Sequence, residues 1–444
     1  MIRTAGPAVW MHTFGCKANQ YDTERMRQEL ESRGARVART ADQAQVAVVN
    51  TCTVTNQADA DARALIRRLR RANPELRIVV AGCSAALQTD RYGAMPEVDA
   101  VVAGQDPVAV SDAAGSLPQR GSGVPRLLEL NRRGTRAWLK IQDGCDRRCS
   151  FCATRLARGA SRSRSAEEIV AEARLLARHH PEIVLTGIHI GHYGLDLTPR
   201  LSLSRLCARL LEQVPEARIR LSSIEATEID DLMVDLFKTS AGALAPHLHV
   251  PLQSGSDPVL RRMRRWHTRD AYRERVISIA ERLPRLGLGA DIIVGFPGET
   301  EAEYQDTYAL VRELPYTYLH VFPFSVRDGT EAASLPGRVR GDVSAVRARR
   351  LRELGLAKGR AYRAARVGQA AKVVLEGGES VVRGLTGDYL RVDVDGDGLR
   401  PGQLVDGRLE GDPDSLRAQV LSSHSPPSTT KMAPVIQSPA GDTT

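Results

Sequence analysis

Three cysteines in one short stretch, Cys145-Asp-Arg-Arg-Cys149-Ser-Phe-Cys152, carry the first chemistry in this chain. The residues before it, Trp138 to Gly144, alternate like a strand and end on Asp143-Gly144, a turn signal, so the thiols belong to a loop that follows a strand. Three thiolates at C-x-x-x-C-x-x-C spacing can hold one metal centre. Structural zinc takes four closed ligands, and no fourth candidate stands within a few residues. A cubane iron–sulfur cluster on three cysteines instead keeps one iron open for a small molecule. Arg147, Arg148 and Arg155 would favour the thiolate forms and offset the negative charge of such a cluster. A zinc knuckle and three incidental loop thiols are the competing readings.

The elements that must position these thiols come next. Ala137 to Ile141 is the first of six apolar strand candidates, followed by Glu182 to Gly187, Arg218 to Ser223, His247 to Leu252, Gly289 to Val294 and Tyr318 to Phe324. Helical stretches separate them, one opening on Ser165-Ala-Glu-Glu168, which fits a capping box. Six βα units predict an open barrel of parallel strands whose chemistry gathers at the strands' C-terminal ends. Polar or Gly-rich sequence sits at those ends: Thr186 and Gly187, Ser223 and Glu225, Gln253, and Gly295. His-x-His at 247 and 249, with His189 and His192, could suggest a metal, but on a strand such a pair is read as facing the core. Cys207, inside a helix-like stretch, reads as a small core hydrophobe.

Upstream, three more apolar runs each end in a cysteine: Ala8 to Gly15 at Cys16, Val46 to Thr51 at Cys52, and Arg77 to Gly82 at Cys83. Their spacing is about one βαβ repeat, for which ~30 residues is typical. Near-continuous Val/Ile runs alternating with helices predict a parallel sheet, in which all strands finish on one edge. Cysteines remote in sequence would therefore converge into a second three-thiolate site. Asn19 and Asn50 nearby are read first as residues that brace turns.

On these residues the chain resembles known families. The C-x-x-x-C-x-x-C triplet, with Phe151 before its last cysteine, is similar to the signature of the radical S-adenosylmethionine (SAM) superfamily. Thr13-Phe-Gly-Cys16-Lys-Ala-Asn19, Asn50-Thr-Cys52-Thr-Val-Thr55 and Ala81-Gly-Cys83 resemble the N-terminal domain of methylthiotransferases, and Glu376 to Val392 resembles the TRAM module, a small barrel linked with RNA binding. Leu248-His-Val-Pro-Leu-Gln-Ser-Gly-Ser256 and Leu319-His-Val-Phe-Pro-Phe-Ser325 look most like the branch that modifies N6-threonylcarbamoyladenosine at position 37 of tRNA. The segment after Cys152, Ala-Thr-Arg-Leu-Ala-Arg-Gly159, departs from the family's usual Ile-Ile-Pro-Tyr-like run. The resemblance implies two [4Fe-4S] clusters, on Cys145, Cys149 and Cys152 and on Cys16, Cys52 and Cys83. It implies reductive cleavage of SAM to a 5′-deoxyadenosyl radical at the first and sulfur delivery from the second. It also implies that Phe151, Thr186, Gly187, Ser223, Glu225, Gln253 and Gly295 lie at the SAM pocket, and that an electron donor such as flavodoxin or ferredoxin takes part. Isopentenyladenosine in tRNA and a ribosomal-protein aspartate are alternative substrates, and a non-catalytic, zinc-containing RNA-binding protein is the alternative from another class.

Composition agrees with an α/β multidomain enzyme acting on RNA. The chain has 444 residues and a net charge of +9, which mildly favours an anionic partner. Seven cysteines argue against a disulfide framework and for a reducing, cytoplasmic setting. No apolar run approaches the ~20 residues that cross a bilayer, and residues 1–7 carry no signal-peptide core. Arginines cluster at Arg261 to His267 and again between Gly337 and Arg366, where phosphate contact is the favoured reading. The expected layout is an N-terminal parallel α/β sheet domain over 1–115, a linker over 116–130 continuing the Gly/Ser/Pro-rich composition that begins at Ser111, and a central open (βα)6 radical-SAM barrel over 131–363. A C-terminal small β-barrel (TRAM-like) over 364–422 and a disordered tail over 423–444 complete it.

Overall fold

The computed structural model describes residues 6–115, 127–132, 134–378 and 381–424. Most of the expected linker and nearly all of the expected tail lie outside them. The first sheet has the order β2-β1-β3-β4-β5, with β1 (Ala8–Thr13), β2 (Arg36–Val37), β3 (Val46–Thr51), β4 (Arg77–Gly82) and β5 (Ala100–Val101). All its pairings are parallel. β3 is buried along its whole length, as a central strand with helices on both faces must be. Ser111 to Ala114, whose composition suggested the start of a linker, are instead the last turn of the helix Pro107–Ala114. Asp106 caps that helix with its side chain, and Pro107 supplies a preset first turn.

The second unit opens with β6 (Ala137–Lys140), and a short antiparallel pair, β7 (Gln142–Asp143) and β8 (Arg162–Ser163), brackets the cysteine loop. Then come β9 (Glu182–Thr186), β10 (Arg218–Leu221), β11 (His247–His249), β12 (Gly287–Val294) and β13 (Tyr318–Pro323). Two three-stranded parallel sheets, β10-β9-β6 and β11-β12-β13, meet at the bridges Ile219↔Leu244 and Ser223↔His249, giving a six-stranded barrel left open between β6 and β13. Side chains alternate across each strand. Leu139, Ile183, Leu185, Ile219, Leu221, Leu248 and Ile292 face the helices and join one large core. The long helix Gly341–Arg366 lies along β13.

The third unit is a closed barrel ordered β14-β15-β16-β18-β17, built from β14 (Ala370–Glu376), β15 (Val382–Thr386), β16 (Arg391–Asp395), β17 (Leu404–Glu410) and β18 (Arg417–His424). Three of these strands are evident from alternation. β15 is obscured by Gly384 and β18 by its polar content, and both are held by pairing rather than by propensity. The barrel docks on the N-terminal ends of the central strands. There Arg218 donates to the carbonyls of Lys372 and Leu385, and Arg220 donates to those of Thr386 and Gly387.

His180 ties the entry to β6. Its Nε2 accepts the Asn131 N–H at 3.2 Å and its Nδ1 pairs with the Thr135 carbonyl at 3.0 Å. Burial pushes its pKa down to about 4, so the folded protein holds it neutral. The stability it contributes is whole above the unfolded value near 6.5 and is lost as pH falls towards 4, to a total of roughly 3 kcal/mol. Denaturant titrations between pH 7 and pH 4.5 should show a smaller fall in stability for His180→Asn than for the wild type; equal falls would remove His180 from this role.

Candidate active site: two groups of three cysteines joined by one arginine

The parallel register brings the first three cysteines together. Thr51 pairs with Gly82, so Cys52 and Cys83 are the next residues on adjacent strands, and Thr13 pairs with Asn50, leaving Cys16 three residues beyond the same edge. Cys16 is the N-cap of helix α1 (Lys17–Ser32), and Cys83 opens the short helix Cys83–Leu87. Glycine precedes both for a steric reason. Gly15 has φ +93°, and a Cβ there would stand 2.3 Å from Cys52 Sγ; Gly82 has φ +99°, and a Cβ would stand 2.3 Å from Asn50 Oδ1. Asn19 donates to the carbonyls of Phe14 and Thr51, while Asn50 donates to the Asn19 carbonyl and to Thr23 Oγ1. Both amides therefore brace the cysteine loops, as expected. Cys52 and Cys83 feel each other and Cys16 electrostatically.

The second triplet occupies the loop between β7 and β8. The Cys145 N–H donates to the Gly159 carbonyl, and Cys152 N–H to that of Cys149. His189 Nδ1 lies 3.5 Å from Cys145 Sγ, and its Nε2 meets the Glu228 carboxylate at 2.9 Å. His192, stacked on His189, reaches the same carboxylate. Arg265 donates to Cys149 Sγ at 3.6 Å and to Glu225 at 2.5 Å.

One side chain on the loop that carries the second group reaches the first. Arg158, six residues past Cys152, donates from Nε to Cys83 Sγ at 3.1 Å, from Nη1 to both oxygens of Asp143, and from Nη2 to Asn19 Oδ1 and Asp22 Oδ2. Lys140 completes the network, at 2.5 Å from Asp22 and 2.7 Å from Asp143. The two cations hold the Asp143 carboxyl down to about 2 against the effect of burial. The cations placed on sulfur are thus Arg158 and Arg265. The Arg147 side chain instead lies over the Trp266 ring at 4.0 Å and reaches His192. Arg262, Arg264 and Arg265, part of a run expected to meet phosphate, are ion-paired with Glu303, Glu331 and Glu225.

Both triplets suit a three-thiolate cluster. All six cysteines are free, and each group has a guanidinium donating to one of its sulfurs. Burial raises the unliganded thiols, Cys52 to about 12 and Cys145 to about 11, with Cys83 and Cys149 also raised. They are protonated until a metal displaces the protons.

Two family models match the chain: an uncharacterised protein family, UPF0004, over residues 8–104, and the radical SAM superfamily over 139–311. A threonylcarbamoyladenosine tRNA methylthiotransferase of Bacillus subtilis is 37% identical over 89% of this chain and 92% of its own. A tRNA-2-methylthio-N6-dimethylallyladenosine synthase of Bacillus mycoides is 32% identical over 84% of this chain and 77% of its own. The chain belongs to the radical SAM tRNA methylthiotransferases. A solved radical S-adenosylmethionine methyltransferase from Kitasatospora setae, at 16% identity, shares the fold with a TM-score of 0.53 over 74% of this chain and 77% of that one.

Within this methylthiotransferase fold the remaining candidates sit at the C-terminal strand ends. Thr186 is buried at the end of β9, and Gln142 accepts the Ile188 and His189 N–H groups just after Gly187. Ser223 is exposed and bridges to His249. Glu225 is buried against Arg265, which is itself against Cys149, and Phe151 meets Phe296 edge-on. Gln253 takes φ +67° while its backbone pairs with β12. At Gly295 a Cβ would meet Ser344 of the long helix, so this glycine serves the packing of that helix. Cys207 is buried in the core, as its helix position suggested. Sequence reasoning missed Arg158, the place of Arg265 on Cys149, and Glu228, the carboxylate that His189 and His192 share. The one available signal was that Arg158-Gly159 closes the loop whose sequence departs from the family pattern.

Two substitutions test this arrangement. Arg158→Leu removes one of the two cations on Asp22 and Asp143, leaving only Lys140, and should cost about 1–3 kcal/mol in urea unfolding; no measurable loss would mean that the network is dispensable. Gly15→Ala places a methyl group on Cys52 Sγ and should halve the iron taken up on anaerobic reconstitution, from about eight to about four per chain, leaving the Cys145 site loaded.

Proposed function

We propose that this protein converts N6-threonylcarbamoyladenosine at position 37 of tRNA to its 2-methylthio derivative. The observation that carries the reading is the two three-cysteine motifs, with Arg158 reaching from the loop of one to Cys83 of the other, in a chain similar over most of its length to threonylcarbamoyladenosine tRNA methylthiotransferases. Cys145, Cys149 and Cys152 would hold a [4Fe-4S] cluster whose open iron binds SAM, and Cys16, Cys52 and Cys83 a second that supplies the sulfur; together they provide radical activation of an inert C–H bond and a sulfur to place there. The protein's own residues do the rest. Arg265 and Arg158 place positive charge on one sulfur of each group, which favours the thiolate form and offsets cluster charge. His189 and Glu228 orient the Cys145 side of the loop. Thr186, Gly187, Ser223, Glu225, Gln253 and Phe151 surround the position open to SAM.

RNA would approach the exposed arginines of the helix Gly341–Arg366, where Arg349, Arg350, Arg352 and Arg360 face solvent. Arg360 is also paired with Asp414 of the C-terminal barrel. Among the described residues no helix is long and apolar enough to cross a membrane, in keeping with work in the cytoplasm, where a flavodoxin or ferredoxin would donate electrons. Anaerobic reconstitution should load about eight irons per chain. The loaded enzyme should then form 2-methylthio-threonylcarbamoyladenosine in tRNA isolated from a strain deleted for this gene. Unchanged 2-methylthio-threonylcarbamoyladenosine in that strain's own tRNA would refute the assignment, and loss of the isopentenyl derivative instead would transfer it to that substrate.

A further inference from the structure

The last strand of the central barrel turns an aromatic face to the lumen. Leu319 and Val321 of β13 pack into the large core, so alternation points Tyr318, His320 and Phe322 inward. The Tyr318 hydroxyl stands between His247 Nε2 at 2.8 Å and His249 Nδ1 at 3.0 Å. Its ring lies over Gly289, where a Cβ would stand 1.9 Å from it. Tyr389 of the C-terminal barrel stacks on His247 at 4.3 Å and closes the lower end. His320 Nδ1 meets Asp291 at 3.2 Å, and the same carboxylate takes His249 Nε2 at 3.0 Å. With the Nδ1 proton given to that carboxylate, the neutral His320 ring keeps Nε2 as an acceptor, and its side chain is 53% exposed.

Phe322 has no such anchor. It is 44% exposed, and it is the one exposed Phe, Tyr or Trp among the described residues of a chain in which such rings make up only 4%. Its ring meets His320 edge-on at 6.3 Å. A phenyl ring held in water at an inward-facing position forgoes the gain of burial until something covers it. Its place in the fold says what that is. β13 is the lip of the open barrel, and along its outer side runs the helix Gly341–Arg366 with the proposed RNA-facing arginines. Arg352 Nη2 of that helix donates to the Val321 carbonyl, next to Phe322. Beyond Phe322 the chain enters a loop fastened to both cysteine loops. Arg327 donates to Asn56, four residues past Cys52, and the Ala332 N–H donates to the Ser150 carbonyl, between Cys149 and Cys152. The uncovered ring thus lies on the strand that links a cationic rim to the loops of both cysteine groups.

We infer that Phe322, with His320 beside it, is the platform on which the target adenine stacks when it enters the barrel from the anticodon loop. Proteins take up unpaired loop bases in this way, with the base face on an aromatic ring and its polar edge on a hydrogen-bonding group. Phosphates held at the arginine rim position the RNA without reading it, and the ring supplies the part of the affinity that depends on the base. The inference rests on the proposed tRNA substrate but not on the N6 group that the base carries, because the purine face is common to the threonylcarbamoyl and isopentenyl forms.

The test measures, without oxygen, how tightly the cluster-loaded full chain binds fluorescein-labelled anticodon stem-loops. One stem-loop carries threonylcarbamoyladenosine at position 37 and the other an abasic ribose. The wild type should bind the base-bearing RNA about 5- to 100-fold more tightly than the abasic one. Phe322→Ala should bind both at the abasic level, and Phe322→Trp should keep the preference. Iron content and thermal midpoint at wild-type values show that the variant is folded. If Phe322→Ala falls short of them, Phe322→Leu, which keeps apolar bulk without the ring, should lose most of the preference in its place. A wild type indifferent to the missing base, or a preference that survives loss of the ring, overturns the inference. So does a raised KM for SAM with the RNA preference intact, which would give the ring to the adenine of SAM. Turnover of an isopentenyladenosine stem-loop in place of the threonylcarbamoyl one overturns the substrate assignment and leaves the platform standing. Failure to bind either stem-loop overturns both.

Discussion

A guanidinium buried between two domains sets the geometry on which the chemistry depends. Arginine carries five N–H donors in a fixed planar fork and cannot shed its charge, so burying it demands acceptors in fixed directions. Arg158 finds them in both domains: Cys83, Asn19 and Asp22 in the first, Asp143 in the second. Two of these partners are carboxylates, and each of them is shared with Lys140, so Arg158, Lys140, Asp22 and Asp143 balance as one network. The first sheet is thereby locked to the barrel at the point where both cysteine groups stand. Tyr21 strengthens the lock, with its ring in the barrel core and its hydroxyl donating to Glu172, which is itself paired with Arg164. Helix α1 thus works as a shared element, with Cys16 at its start, Asp22 in the network and Tyr21 in the neighbouring core.

How much of this the sequence reveals follows from how local each cause is. A parallel sheet ends all its strands on one edge, so three apolar runs ending in cysteine imply one site, and the register at Thr51↔Gly82 follows directly. The six barrel strands are legible because apolar residues recur in each between helical stretches, even in the short Arg218–Leu221 and His247–His249. What stays hidden is pairing over long separations. Nothing near Arg158 announces that its partners are Asp22 and Cys83, which lie 136 and 75 residues away. Arg265 is likewise invisible as a thiol partner inside an arginine run that resembles a phosphate-binding patch. The His-x-His pair shows the same limit. Period two puts His247 and His249 on one face, but only the fold shows that this face lines a polar lumen and not an apolar core. Two-residue strands such as β2, β5, β7 and β8 carry too few side chains for any pattern to register.

The C-terminal barrel acquires a structural duty from the same physics. A parallel barrel left open between its first and last strands cannot fill its lumen as a closed one does, and a lumen that must admit a nucleotide cannot be filled at all. Its lower end is therefore built from charges that satisfy one another. Glu182, fully buried, is kept ionised against burial by Arg218, Arg220 and Arg136. Those guanidiniums hold more donors than one carboxylate can accept. The surplus is taken by four backbone carbonyls of the C-terminal barrel, at Lys372, Leu385, Thr386 and Gly387. Without that barrel the arginines would face water at the floor of the chamber, and the charge balance beside His247 would change. A module linked by resemblance with RNA binding, and carrying more acidic than basic residues, thus closes the reaction chamber from below. The proposed RNA surface is then the arginine face of the helix that leads into it.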